Sequence, residues 1–185
     1  MTSPIPVQPQ TKPAQVTLTS ERLVLRPLHD SDAPLLTRHV ADRRVAFGTR
    51  SIPHPLPDGA AESYIDAAHD ARRDEDVWAI DGSPAGSETL LGVISLKALD
   101  RSQSQIGYWV APGHWHSGIA SEAVRLLLRE NPHANRTIFA EVFQDNPVSA
   151  RLLTQAGFEY IGDAEAFAVA RNLAVPTWTY LRHMR

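Results

Sequence analysis

Residues 113–123 read GHWHSGIASEA. They follow a β-prone run, SQIGYWVA at 104–111, and lead into a stretch where Ile119, Ala123, Leu126 and Leu127 share one helical face while Glu122, Arg125 and Arg129 lie outside it. The pattern predicts a strand ending at Ala111, a turn at Pro112-Gly113 and a helix over 117–130. A Gly/Ser loop feeding a helix presents unpaired N–H groups and the positive end of the helix dipole, which together cradle phosphate oxygens. Gly113 and Gly118 have the spacing of half a P-loop, but Ile119 and Ala120 stand where Lys and Ser or Thr would be needed, and no G-x-G-x-x-G occurs. ATP, GTP and NAD are therefore disfavoured. A ligand whose pyrophosphate is only anchored by backbone N–H groups, with its chemistry elsewhere, fits better, and coenzyme A is such a ligand. The same residues also read as a tight turn with Ser117 as an N-cap and no ligand.

The rest of the chain bounds the alternatives. With 185 residues, 43% of them hydrophobic, it can bury one sizeable core. The net charge of −3 comes from interleaved acids and bases without a Lys/Arg run, which argues against nucleic acid as a partner. Cysteine is absent, so disulfides, thiolate catalysis and thiolate metal sites are excluded together. Apolar runs are too short to span a bilayer and no signal peptide is legible, so a cytoplasmic protein without a membrane partner is expected. Residues 1–16 carry Pro4, Pro6, Pro9 and Pro13 with little to bury, and read as a disordered tail ahead of one domain over 17–185.

Within that domain, TLTSERLVLRPL (17–28) reads as two strands around a turn, followed by a helix start at Asp30–Asp32 with Ala33, Leu36 and Val40 at helical spacing. After a proline-rich loop at 51–59, Asp58 is placed to cap a second helix whose stripe is Ala61, Tyr64, Ile65 and Ala68. VWAI, TLLGVISLKAL and SQIGYWVA then suggest an antiparallel meander. Helix over 117–130, strand over 137–143, helix over 146–156 and strand over 158–162 imply βα units and a partly parallel sheet, with TWTYLRHM as a last strand.

These residues resemble the GNAT N-acetyltransferases, and within them the RimJ/RimL-like branch that acetylates ribosomal-protein N-termini. WHSGIA at 115–120 matches the family's Q/R-x-x-G-x-G/A with Trp in first place, and GYWVAPGHWHSGIASEA answers the branch's longer form. SERLVLRPLHDSDAPLL at 20–36 and NPVSARLLTQAGF at 146–158 resemble two further motifs of that branch. His116 departs from the usual Gly and Ile119 from a common Tyr. The resemblance implies an α/β GNAT fold: a central twisted mixed sheet, mostly antiparallel, flanked by helices and splayed at the cofactor site.

It also implies direct acetyl transfer from acetyl-CoA to an amine, with no metal. On that reading the oxyanion and pantetheine contacts fall on the backbone of Trp109, Val110 and Ala111, and the pyrophosphate on His116, Ser117, Gly118, Ile119, Ala120 and Ser121. Asn146 and Ser149 are carried over as polar groups near the thiol, Ser149 donating to the departing sulfur. Asn146-Pro147 is equally an N-cap followed by a first-turn proline, with Ser149 as a helix-start residue. Glu141, late in its strand, is the candidate general base, while Glu122 can equally be a solvated partner of Arg125. His114-x-His116 lacks a third ligand at motif spacing and is a weak metal signal.

The acceptor site is expected from residues 48–59 and 163–176, where Asp58, Asp163 and Glu165 can attract a cation or be ordinary surface charge. The expected acceptor is the α-amine of a protein or peptide. At pH 7 roughly a tenth of an α-amine with pKa ~8 is neutral, against well under ~0.1% of a lysine, so a weak base suffices. A small-molecule amine acetyltransferase and a non-catalytic acyl-CoA-binding domain are the alternatives. Oligomeric state is left open, a homodimer being common in the resembling family.

Overall fold

The computed structural model describes residues 14–184. Its sheet begins with Leu18–Thr19 (β1) turning back on Val24–Pro27 (β2), as the sequence predicts. Glu75–Asp81 (β3), Gly92–Ala98 (β4) and Gln103–Val110 (β5) form the antiparallel meander. From Asp76 to Asp81 β3 is buried at every position rather than alternately, because helices cover both faces of the sheet there.

One face carries Ala33–Val40 (α1), Arg43–Phe47 (α2) and Ala60–His69 (α3), packed on Val77, Ala79 and Val93. The other carries Ile119–Glu130 (α4) and Pro147–Gln155 (α5), which bury Ala123, Leu126, Leu127 and Leu153 against Ile80, Ile94, Ile106 and Ile138. The sheet therefore separates two cores. Its remaining strands are Thr137–Phe143 (β6), Glu159–Ala168 (β7) and Leu173–His183 (β8), and the eight lie in the order β1-β2-β3-β4-β5-β6-β8-β7.

The crossover through α4 makes β5 and β6 the one parallel pair among the described strands. Their ladder runs only from Gln103↔Thr137 to Ile106↔Ala140. Beyond it, residues 107–110 still pair with β4, and residues 141–143 still pair with β8. The two strands part with their outer partners intact, leaving a wedge whose facing backbone groups are unpaired with each other.

Three local expectations change. Between α1 and α3 lies α2, five residues capped by the Asp42 carboxylate, which accepts from Arg44 N at 2.8 Å. Asp58 does not cap α3; Gly59, at φ 73°, occupies the N-cap position without a side-chain bond. The strand predicted over 158–162 runs to Ala168 and forms a long hairpin with β8, so most of 163–176 is ladder rather than loop. Of the predicted tail, residues 1–13 lie outside the described residues. Val16 accepts from the Trp78 indole N–H at 2.8 Å, and Gln15 Nε2 donates to Val77 O at 2.8 Å.

Two polar networks pin the frame. Arg26 reaches Asp81 at 2.7 Å and both Asp32 oxygens at 2.8 and 2.9 Å, tying β2, β3 and the entry to α1. At the paired end of β5, His133 Nε2 meets Asp76 at 2.6 Å and its Nδ1 lies 3.3 Å from Ser104 Oγ. That constellation has the composition of a nucleophilic triad. Ser104 is 1% exposed and donates to Asn135 Oδ1 at 2.8 Å, so it offers no surface to a substrate.

Candidate active site

The mouth of the wedge is closed on one side by the loop that opened the sequence reading. After β5, a single 3-10 turn over Pro112–His114 carries the chain to Trp115, whose indole N–H donates back to Val110 O at 2.7 Å. His116 at φ 58° and Gly118 at φ 81° then bend the backbone into α4. The helix starts at Ile119 with Gly118, not Ser117, as its N-cap. The Ser117 hydroxyl is instead given to His114 O, and Ser117 O accepts from Arg22 Nη1 at 3.3 Å. With no side chain capping the helix, the first-turn N–H groups of Ile119, Ala120 and Ser121 are free of an intrahelical partner. Unpaired N–H groups at a helix start have the chemistry to hold an anion by backbone alone.

Glu122 belongs to the support of that cradle. It accepts from Ser20 Oγ and Arg22 Nε, each at 2.7 Å, while Arg125 Nε bonds the Ser121 carbonyl of its own helix at 3.0 Å. Glu122 is thus the partner of Arg22, not of Arg125. Burial pushes its carboxyl up, but the bonds from Ser20 and Arg22 outweigh this and hold it below the ordinary carboxylate range.

On β5 the backbone alternates between its two sides. Ala111 N donates to Leu91 O at 2.8 Å, and a Cβ placed on Gly92 would lie 2.2 Å from Trp109 O. Trp109 and Ala111 therefore address β4. Tyr108 and Val110, one step out of phase, turn their backbone groups toward the wedge. Of the three residues expected to hold the thioester by their backbone, Val110 faces the opening. The Trp109 side chain packs with the α1–α3 core, edge-on to His39 with centroids 6.4 Å apart.

The two walls of the wedge differ chemically. On the α5 side, Asn146 Oδ1 accepts from Ser149 N at 3.2 Å, so Asn146 is the N-cap of α5, with Pro147 in its first turn. Ser149 is half-buried in the first turn of that helix. On the other side, Glu141 is 14% exposed at its side chain and accepts from Arg50 at 2.6 Å and Thr177 Oγ1 at 2.7 Å. Arg50 and Thr177 escaped the sequence reading because they lie 91 and 36 positions from Glu141.

Above Glu141 the opening is framed by α2 and the β7–β8 turn. Arg171 from that turn donates to Phe47 O at 2.8 Å, stacks on Phe143 at 4.7 Å and meets Asp145 at 2.5 Å. Val169 N adds a bond to Arg50 O at 2.9 Å. Asp163 is taken by Gln144 and Tyr160, at 3.2 and 2.9 Å. His114 pairs with Glu88 at 3.3 Å. Among the described residues no three His, Asp or Glu side chains are grouped to hold a metal, and no helix is long and apolar enough to cross a membrane.

His116 carries a β-carbon in left-handed backbone, where L-residues other than Gly lose about 1–2 kcal/mol. Replacing His116 with Gly is expected to leave stability unchanged or raise it by up to ~1 kcal/mol, the relief being partly offset by the freer unfolded chain. It should also leave coenzyme A affinity within about threefold, since the cradle is backbone. Thermal melts and calorimetry read both; a tenfold loss of affinity would show that the imidazole itself holds the ligand.

Comparison with known proteins agrees with this geometry. Residues 22–159 match the model of the acetyltransferase (GNAT) domain. The uncharacterized N-acetyltransferase YoaA of Bacillus subtilis (strain 168) is 28% identical over 151 residues, covering 78% of this chain and 84% of that protein. Among solved structures, the microcin C7 self-immunity acetyltransferase MccE, in complex with acetyl-CoA and AMP, superposes with a TM-score of 0.76 at 14% identity, over 89% of this chain and 93% of that one. The ribosomal L7/L12 α-N-protein acetyltransferase RimL, in complex with coenzyme A, also gives 0.76, at 19% identity over 91% and 98%. With the wedge, the backbone cradle and the family match together, this chain belongs to the GNAT family and is an acetyl-CoA-dependent N-acetyltransferase.

Proposed function

We propose that the enzyme acetylates the α-amine of a protein or peptide, as the RimJ/RimL branch does, through a domain spanning 17–185 behind a leading tail. The observation that carries this reading is the state of Glu141, the acidic side chain at the acceptor end of the wedge. Both its oxygens already accept hydrogen bonds, from Arg50 and Thr177. Each oxygen keeps a lone pair beyond those bonds, so the carboxylate can receive a proton held in place, which suits an acceptor that is itself partly neutral. An α-amine with pKa ~8 meets that condition and a lysine at ~10.4 does not. In this reading the N–H groups of residues 116–121 hold the pyrophosphate, and Val110 and Tyr108 offer backbone to the pantetheine arm and the acetyl oxygen. Ser149 donates to the sulfur, and Asn146 holds the start of α5 in place.

Calorimetry with acetyl-CoA, coenzyme A and ATP, followed by thiol release with acceptor panels, tests the proposal. Saturable binding of the first two ligands and not of ATP is expected, with turnover of peptides that depends on residues beyond the first. Equal turnover of free polyamines or amino acids would move the assignment to a small-molecule enzyme. Binding without turnover on any amine would make the chain an acyl-CoA sensor.

A further inference from the structure

The Glu141 side of the wedge carries more positive charge than its carboxylates match. Phe143 pairs with Thr177, and Thr177 in turn pairs with Ala164, so Glu141, Phe143, Thr177, Ala164 and Ala166 share one face of the sheet. Asp163 and Glu165, one step out of phase with those alanines, turn to the opposite face and cannot draw a cation to Glu141. The side chains that converge near Glu141 are arginines. Arg171 is spent on Phe47 O and on both Asp145 oxygens, and Arg44 on Asp42 at 3.1 and 2.7 Å. Arg43 lies over the Phe47 ring at 4.3 Å, with Arg171 at 6.0 Å from the same ring, and has no ion pair among the described residues. Arg50, 52% exposed, gives one N–H to Glu141 and has no other side-chain hydrogen bond among the described residues. Its backbone is fixed by the bond from Val169 N to Arg50 O at 2.9 Å.

We propose that Arg50 is a specificity-determining residue of the acceptor site, and that the acceptor is a polypeptide with a side-chain carboxylate on its first or second residue. The inference rests on the α-amine reading above and names the substrate class that reading leaves open. A guanidinium carries five N–H donors in a rigid fork and grips a carboxylate through two of them. One donor of Arg50 is on Glu141, and the other four are open to a second carboxylate. An amine brought to Glu141 carries its first side chains to the cation that Glu141 already touches. An acid there gains a charge-assisted bond, whereas a lysine, or a polyamine charged along its length, meets like charge. The tethers to Glu141 and Val169 hold the fork in place before the acceptor arrives, so binding has little left to order.

The test uses peptides alike except for alanine, aspartate or lysine at the first or the second residue, with free aspartate as a further arm. At low salt, kcat/KM for the better aspartate peptide is expected to exceed that of the alanine peptide about tenfold, the difference lying in KM, and the lysine peptide to fall about threefold below it. The two aspartate positions tell which residue the fork reads. In Arg50→Gln the aspartate-to-alanine ratio should drop to within about twofold of unity; in Arg50→Lys it should lie between, since the charge stays and the fork is lost. Taking the ratio within each variant cancels whatever the substitution does to Glu141. Salt at about 0.5 M should shrink the wild-type ratio, and calorimetry of the same peptides on the coenzyme A complex should give the same order without turnover. A ratio that Arg50→Gln leaves at its wild-type value would overturn the proposal and reduce Arg50 to a counter-ion of Glu141, as would equal kcat/KM for aspartate and alanine peptides in wild type. Preference for free aspartate over every peptide would also overturn it, moving the carboxylate to a small acceptor. Absence of turnover on all the peptides would remove the α-amine reading itself, an outcome distinct from turnover without preference.

Discussion

Glu141→Gln is expected to lower kcat by about a hundredfold at pH 7, with acetyl-CoA affinity unchanged. The amide keeps the shape of the side chain and can still accept from Thr177, but it cannot take the proton that the acceptor nitrogen must lose to attack the acetyl carbon. General bases contribute about 10²–10⁴-fold, and an acceptor with appreciable neutral amine places this one near the lower end. Raising the pH through the acceptor's own titration, near ~8 for an α-amine, should restore most of the variant's rate because solvent then removes the proton. Steady-state kinetics from pH 6 to 10 separate the cases. A variant that matches wild type across that range would dismiss Glu141 as the base, and one that stays slow at high pH would assign it to binding the acceptor.

Arg26→Ala is expected to cost about 3–5 kcal/mol, since it leaves two largely buried carboxylates without their cation. The side chains of Arg26, Asp32 and Asp81 are 13%, 3% and 10% exposed. At roughly 2–4 °C per kcal/mol for a chain of this size, the melting point should fall by about 10 °C. Burial pushes Asp32 and Asp81 up, but the bonds from Arg26, helped by the backbone N–H groups of His29 and Ser83, hold both below the ordinary carboxylate range. Depressed carboxyls give stability that is full above their unfolded values, near ~3.9, and lost as the pH falls through the folded ones. The gap between wild type and Arg26→Ala should therefore be widest at neutral pH and shrink below about pH 4. Urea unfolding at pH 7 and pH 3.5 measures it; a gap independent of pH would mean that Arg26 stabilises by packing alone.

Much of the frame was legible because it is local. A strand, a glycine loop and an amphipathic helix in sequence order gave β5, its turn and α4 from the residues at 104–130 alone, and turn residues between short apolar runs gave the meander. What escaped has physical reasons. The short helix α2 spans less than two turns, too few for a periodicity to repeat. β7 was cut short because, from Glu159 to Glu165, neither of its faces is buried and no alternation marks it. In the site, Asn146 announced its cap by composition, whereas Glu122 was matched with a neighbour on its own helix although its partner, Arg22, is 100 residues away. Charge pairing between a turn and a helix 100 residues on leaves no trace in local spacing.

The adjacent residues Tyr108 and Trp109 send their side chains into different cores, one shared with α4 and α5, the other with α1 to α3. On the proposed assignment, the helices that would meet the thioester and those that would frame the incoming amine share little beyond the strands between them. Descendants of such a chain can exchange one set of visitors for another by redecorating a single side of the partition, while inheritance keeps the handling of the activated acetyl group intact on the other.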